Sequence, residues 1–263
     1  MPRRIVAIGG GHDGRGRQDL ASAAYELAVQ DQEIIRLTGK EHPNFLFLAH
    51  SQLIERQEPY YKGMVTVYGD LYGCQCKNLK STELSNMEYA RELVEWADII
   101  YEGGGNTLDM IALWRETGLD KLLEWAWNNG KVMCGISAGG NCWFKECSTD
   151  SLKIKYGPDQ PFASMECLGF LDGLFVPHCN EPGRLESLKE MLKKSDQVGI
   201  SMSNCAALEI VDEQYRLIVS RSADPNFKAY GLKSYWKDGK YIEIPLDTSL
   251  EWKPLKELTN IVP

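Results

Sequence analysis

The chain has 263 residues, of which 43% are hydrophobic, 25% charged and 10% aromatic, a globular composition that excludes a disordered chain, a coiled coil or a collagen-like repeat. At about 150 residues per domain the length allows one or two domains. Lys and Arg number 29 against 37 Asp and Glu, a net charge of −8, so the chain lacks the basic footprint that a nucleic-acid backbone or an anionic membrane attracts.

Residues 4–8 read as a buried strand running into Gly9-Gly10-Gly11, and residues 19–30 as a helix. Residues 45–49 and 64–68 read as the next two strands. Over 85–96 the spacing is helical, with Met87, Tyr89, Ala90, Leu93, Val94 and Trp96 roughly along one side. A strand at 97–101, helices at 108–114 and 119–127, a strand at 132–136 and a short helix at 138–144 follow. Short continuous apolar strands separated by helices indicate a parallel sheet covered on both faces. After Lys145 the texture changes. Strand-like pieces at 168–177 and 199–202 flank a helix at 184–194, with Leu185, Leu188, Met191 and Leu192 at helical spacing. Strands at 206–211, 215–220, 228–236 and 241–244 come last, the final two joined by the turn Lys237-Asp238-Gly239-Lys240. They read as antiparallel strands extending one sheet edge. No linker or repeat interrupts residues 1–263, so a single α/β domain is expected.

The basic start Met1-Pro2-Arg3-Arg4 leads into an apolar run too short for a signal-peptide core. No run approaches the ~20 apolar residues of a membrane span. A cytoplasmic protein is expected, with its 8 cysteines reduced. Cys74-Gln75-Cys76 and the Cys142–Cys147 spacing do not make a matched pair of zinc knuckles.

Three strand ends carry candidate chemistry. Gly9-Gly10-Gly11-His12-Asp13-Gly14 satisfies the dinucleotide fingerprint in spelling. The acidic residue that should end the second strand is missing, and His50-Ser51-Gln52 stands there instead. The segment Gly135-Ile136-Ser137-Ala138-Gly139 follows an apolar strand and precedes a helix, the setting of a nucleophile elbow. Small residues on both sides permit a strained turn that lifts the serine clear of the backbone. The N–H of Ala138 is then placed to meet a developing oxyanion. A serine nucleophile needs a base. Of the four histidines, His12 and His42 lie in loops, His50 lies near a strand end, and His178 leaves the apolar run 171–177 at a strand end. In open α/β sheets ligands bind beyond the carboxyl ends of the strands, which favours His178 while leaving His50 open. The third strand end, Gly103-Gly104-Gly105-Asn106-Thr107, has glycines that let backbone N–H groups approach a ligand.

The set Gly103-Gly104-Gly105-Asn106-Thr107, Gly135-Ile136-Ser137-Ala138-Gly139 and Pro177-His178 resembles peptidase family S51, the dipeptidase E and cyanophycinase group, from about residue 5 to 240. The resemblance implies a three-layer, mostly parallel doubly wound sheet like that of class I glutamine amidotransferases, here with antiparallel C-terminal strands. It makes Ser137 the nucleophile, His178 the base, and Gly104, Gly105 and Ala138 the oxyanion hole. Asp150 corresponds to a functionally important Asp after the elbow. Asn106, Arg184 and Glu186 correspond to substrate-binding positions, Arg184 being suited to grip a carboxylate bidentately. The family's Glu after the strand near Gly199 is missing, and Ser203 or Asn204 stands in its place. An Asn carbonyl still accepts an imidazole N–H without supplying charge, a charge left to Asp150 or Glu209. The function this implies is hydrolysis of small peptides with an N-terminal aspartyl residue through a Ser-His acyl-enzyme, with no metal or organic cofactor. Alternatives are an amidase, an esterase or a β-aspartyl hydrolase on the same residues, a silent binding protein of the same fold, or nucleotide binding at Gly9–Gly14. The expected partner is a small peptide substrate, with no nucleic acid or membrane, and the protein a monomer or homodimer.

Overall fold

Apolar residues on neighbouring strands alternate between two cores, and that alternation fixes the layers. In β1 (Arg4–Ile8), Ile5 and Ala7 face one core and Val6 and Ile8 the other; in β2 (Asn44–Leu48), Leu46 and Leu48 oppose Phe45 and Phe47 in the same way. A strand buried on both faces has to be apolar throughout, which is why these segments were legible as continuous runs. The structure, a computed structural model, describes residues 1–15 and 25–261.

The described residues form two sheets. In the larger, β1 pairs in parallel with β5 (Val132–Ile136), β5 with β4 (Ile99–Glu102), β4 with β2, and β2 with the edge strand β3 (Gln75–Leu79). On the other side of β1 the sheet continues antiparallel through β10 (Ala206–Val211), β11 (Gln214–Val219) and the short β14 (Lys253–Pro254). One face is covered by α1 (Ala28–Thr38) and α2 (Ile54–Met64). The other is covered by α3 (Met87–Trp96), α4 (Thr107–Thr117) and α5 (Leu119–Asn128), together with the second sheet.

That second sheet runs β13 (Lys240–Pro245), β12 (Gly231–Lys237), β9 (Gly199–Met202), β8 (Leu171–Val176), β6 (Phe144–Thr149) and β7 (Ala163–Glu166). Phe144, Phe175 and Ile200 turn one of its faces into the main core, and Leu174 and Val176 turn the other onto Leu188 and Leu192 of α8 (Arg184–Met191) and the residue after it. The turns α6 (Ala138–Asn141) and α7 (Ser151–Tyr156) flank β6, and α9 (Leu255–Thr259) closes the chain.

The mixed α/β class with helices on both sides is as expected. The placement of the later strands differs. Of the four strands read as extending one edge, β10 and β11 do so, whereas β12 and β13 belong to the second sheet. Residues 64–68, read as a strand, form the end of α2 and a π-helical stretch, Val65–Leu71. Its β-branched residues mimic a strand, yet the buried ones are Met64, Val67 and Tyr68, a helical spacing. Tyr68 stacks on Phe45 with ring centroids 3.9 Å apart. The actual third parallel strand, β3, is a mostly exposed edge with one buried residue, Leu79. Half of the helix expected at 19–30, residues 19–24, lies outside the described residues; of the rest, 28–30 are the start of α1, which runs on to Thr38. The expected hairpin is present, with φ of 51° at Asp238 and 74° at Gly239, the pair of positive values a type I′ turn needs.

Candidate active site

Ser137 leaves the end of β5 with φ 56° and ψ −110°, a conformation that an L-residue holds only when its surroundings enforce it. The enforcement is visible at the two flanking glycines. A Cβ on Gly135 would lie 2.5 Å from the Glu102 carbonyl oxygen and 2.6 Å from that of Gly139, and a Cβ on Gly139 would overlap the Glu102 carbonyl. The elbow therefore closes only with glycine at both positions. Its first helical N–H, on Ala138, has no intrahelical carbonyl to bond.

The end of β1 brings His178 to the same place. The Ile8 carbonyl accepts from the Ser137 N–H at 3.0 Å, and the next carbonyl, Gly9, accepts from the His178 N–H at 3.0 Å. Adjacent carbonyls thus hold the backbones of both residues. His178 has φ 51° and its side chain is 21% exposed. Its Nδ1 lies 2.7 Å from Asn204 Oδ1. That oxygen only accepts, so Nδ1 carries the proton and Nε2 is left with a lone pair. A Cβ on Gly10 would overlap both the imidazole and the Asn204 amide, so this glycine turn serves to admit the His178–Asn204 pair. Asn204 is held in turn by its own N–H, donated to Asn180 Oδ1 at 2.8 Å.

Glu209, one expected source of charge for His178, instead faces Arg216 at 2.6 Å on β11. Asp150 pairs with Arg184 at 2.9 Å. The carboxylate nearest the imidazole is Glu181, with Oε1 3.6 Å from His178 Nδ1 and Oε2 3.6 Å from Arg184 Nε. It was not picked out from the sequence, where the His-x-x-Glu spacing is its only signal. The tight turn that returns the Glu181 N–H to the His178 carbonyl at 2.8 Å puts it there.

His50 is a structural residue. It is buried, Trp114 Nε1 donates to its Nδ1 at 2.8 Å, and its Nε2 donates to the Leu79 carbonyl at 2.8 Å. Both ring nitrogens are engaged, and burial pushes its pKa down to about 4, so it stays neutral and offers no free lone pair.

The glycine loop after β4 lies against the elbow. A Cβ on Gly104 would sit 3.4 Å from the Ser137 Cβ, and one on Gly105 would overlap the Ser51 carbonyl. The Gly104 N–H donates to the Tyr60 hydroxyl at 3.2 Å, while the Gly105 N–H has no partner among the described residues. Of the two expected loop donors, Gly105 is the unoccupied one. Asn106 has its side chain committed elsewhere. Its Oδ1 accepts from the Asp109 N–H at 3.1 Å and its Nδ2 donates to Asp109 Oδ2 at 2.8 Å, so it caps α4. Beneath the loop, the carboxyl of fully buried Glu102 takes the N–H groups of Ser51 at 3.1 Å and His50 at 3.4 Å. Burial raises its pKa to about 8 despite those donors.

Arg184, at the start of α8, is 1% exposed. Its guanidinium bonds Asp150 and stacks over Phe162 at 4.3 Å, yet Nε and Nη1 have no hydrogen-bond partner among the described residues. Nε still faces Glu181 Oε2 at 3.6 Å, which leaves Nη1 as the donor without a partner among them. An unsatisfied donor on a buried cation is costly, and a carboxylate oxygen answers it. Glu186, two residues on, is exposed on α8 and is not brought to this cluster. No group of three His, Cys, Asp or Glu among the described residues is arranged to hold a metal ion.

The fold and this site define a mixed α/β protein with a strained serine elbow at the carboxyl ends of its parallel strands. The model of peptidase family S51 matches residues 19–218. The uncharacterized peptidase YgaJ of Bacillus subtilis (strain 168) is 31% identical over 249 residues, covering 93% of this chain and 97% of that protein. Among solved structures, a peptidase from an acI-B1 Actinobacterium matches with a TM-score of 0.67 at 19% identity, covering 97% of both chains. A putative peptidase E protein from Listeria monocytogenes EGD-e matches with a TM-score of 0.60 at 16% identity, covering 84% of this chain and 100% of that one. The two structures share the fold. The chain belongs to peptidase family S51.

Proposed function

We propose that the protein is a serine peptidase that hydrolyses small peptides with an N-terminal aspartyl residue. The observation that carries the reading is the joint suspension of Ser137 and His178 from the Ile8 and Gly9 carbonyls, with Asn204 fixing the imidazole tautomer. His178 Nε2 takes the Ser137 Oγ proton as Oγ attacks the scissile carbonyl carbon. The tetrahedral oxyanion is met by the N–H groups of Ala138 and Gly105. Collapse breaks the C–N bond, and the imidazolium returns its proton to the leaving amine. Water, deprotonated by the same His178, then attacks the acyl ester, releasing the carboxylic acid and restoring Ser137.

The aspartyl preference rests on Arg184, whose Nη1 has no hydrogen-bond partner among the described residues and suits an oxygen of a substrate carboxylate. Asp150 and Glu181 orient that guanidinium. The uncharged Asn204 stabilises the imidazolium less than a carboxylate does, and Glu181 contributes part of the missing charge through a half-exposed path.

The test is hydrolysis of a series of Asp-Xaa dipeptides by the purified protein and by Ser137→Ala. The expected outcome is cleavage by the first and a loss of at least about a thousandfold in kcat in the second. Undiminished turnover by Ser137→Ala removes the assignment.

A further inference from the structure

We propose that the basic recess beside the glycine loop is a second substrate subsite that takes the free C-terminal carboxylate of a short peptide. The inference rests on the Ser137-centred reading and adds which end of the substrate is recognised. The recess has a volume of about 600 Å³, and Arg15, Gln52, Arg56, Tyr60 and Lys62 are among the residues that line it. Among the described residues three of its side chains are cationic and none is a carboxylate, in a chain whose net charge is −8. Local charge of this sign against the global balance marks a place where anions are favoured.

The three cations are unequally neutralised. Arg15 is held by both oxygens of Asp13 at 2.8 and 2.7 Å and lies over the Tyr60 ring at 3.6 Å. It therefore forms a wall. Lys62 reaches Glu58 only at 4.0 Å, and Glu58 is already paired with Lys80 at 3.0 Å. Arg56 has no ion pair among the described residues. Arg56 and Lys62 are thus the charges left for a ligand, both on long flexible stems.

The recess touches the chemistry through one residue. Tyr60 Oη accepts from the Gly104 N–H at 3.2 Å, and Gln52 Nε2 donates to the Gly104 carbonyl at 2.5 Å. Gly104 itself is the loop residue whose Cβ position is 3.4 Å from the Ser137 Cβ. In a dipeptide the terminal carboxylate lies one residue, about 3.5 Å of chain, past the scissile bond. Arg184 beside His178 then answers the side-chain carboxylate, and the α2 cations answer the terminal one. A dianionic dipeptide engages both, whereas an amidated or C-terminally extended peptide gives up the second.

The experiment compares an Asp-Xaa dipeptide with the same dipeptide amidated at its C-terminus, for the wild type and for the double variant Arg56→Gln, Lys62→Gln. The wild type is expected to prefer the free acid by about tenfold in kcat/KM, through KM. The preference shrinks as salt is raised and is lost in the double variant. In parallel, calorimetric binding of both peptides to Ser137→Ala should show the same preference, lost when Arg56→Gln and Lys62→Gln are added. Cleavage of acid and amide with equal kcat/KM overturns the subsite and leaves the peptidase reading standing. If the wild type cleaves neither peptide, the peptidase reading falls and the binding arm decides. Tighter binding of the acid that depends on Arg56 and Lys62 supports the subsite, and equal binding overturns it.

Discussion

Asn204 is the residue on which the proposed base depends, because it makes the hydrogen bond that sets which imidazole nitrogen carries the proton. Without that acceptor the ring is free to rotate and to adopt the wrong tautomer, a loss that costs far more in kcat than in binding. Asn204→Ala is expected to lower kcat by about a hundredfold with KM little changed, as measured on the best Asp-Xaa substrate. An unchanged kcat would show that His178 is oriented by something else. Asn106 makes the converse case. The family resemblance gives it to substrate, but both of its polar side-chain atoms cap α4. Asn106→Ala should cost about 1 kcal/mol in denaturant unfolding, and Asn106→Ser should recover most of it with KM near that of the wild type. A KM that rises in both variants without a stability change would return Asn106 to the substrate.

At the scale of elements, the elbow is held by contact between three backbones: the end of β4 at Glu102, the end of β5 at Gly135 and the start of α6 at Gly139. Gly139→Ala drives a methyl group into the Glu102 carbonyl, and neither main chain can yield without moving Ser137. A loss of about 3 kcal/mol or more is expected in urea unfolding, together with loss of hydrolysis. A variant as stable and active as the wild type would mean that the elbow is looser than drawn. These close approaches explain why the sequence was informative here. Glycine at 135 and 139, like glycine at 10, is demanded by backbone geometry and so leaves a fixed trace. The groups around the elbow leave far less. Tyr60 meets Gly104 across 44 residues of sequence, and Glu181 reaches His178 from an exposed turn. The edge strand β3 lacks the apolar run that marks a buried strand. The π-helical stretch after α2 has a β-branched composition that imitates one. The second sheet was missed for a related reason. Its strands β6, β8 and β9 run parallel and are mostly buried, like those of the larger sheet, and which sheet they join is decided by Phe144, Phe175 and Ile200 packing into the shared core, a tertiary choice without a local signal.

For the whole molecule, the mildly acidic composition conceals three carboxyls among the described residues whose burial raises their pKa. Glu102 is pushed up to about 8, Asp31 to about 7 beneath the hydroxyls of Tyr68 and Tyr25, and Glu209 to about 7 despite Arg216. Each binds its proton more tightly in the folded protein than in the unfolded chain. Their contribution to stability is therefore complete below about pH 4, where both states are protonated, and is lost as pH rises through 7 to 8. The melting temperature is expected to fall between about pH 5 and 8.5, and Asp31→Asn should flatten part of that fall. The new amide still accepts from Tyr68 and donates to Tyr25, whose own O–H is free to turn to Tyr72. A pH slope unchanged by Asp31→Asn would show that Asp31 remains ionised in the folded protein.

Hydrolysis at this site requires Ser137 to be a nucleophile activated by His178, and covalent labelling by a serine-directed fluorophosphonate, mapped by mass spectrometry, reads that directly. A single adduct on the peptide containing Ser137 is predicted, absent in Ser137→Ala and formed far more slowly in His178→Ala. No adduct, an adduct elsewhere in the chain, or equal labelling of His178→Ala would contradict it.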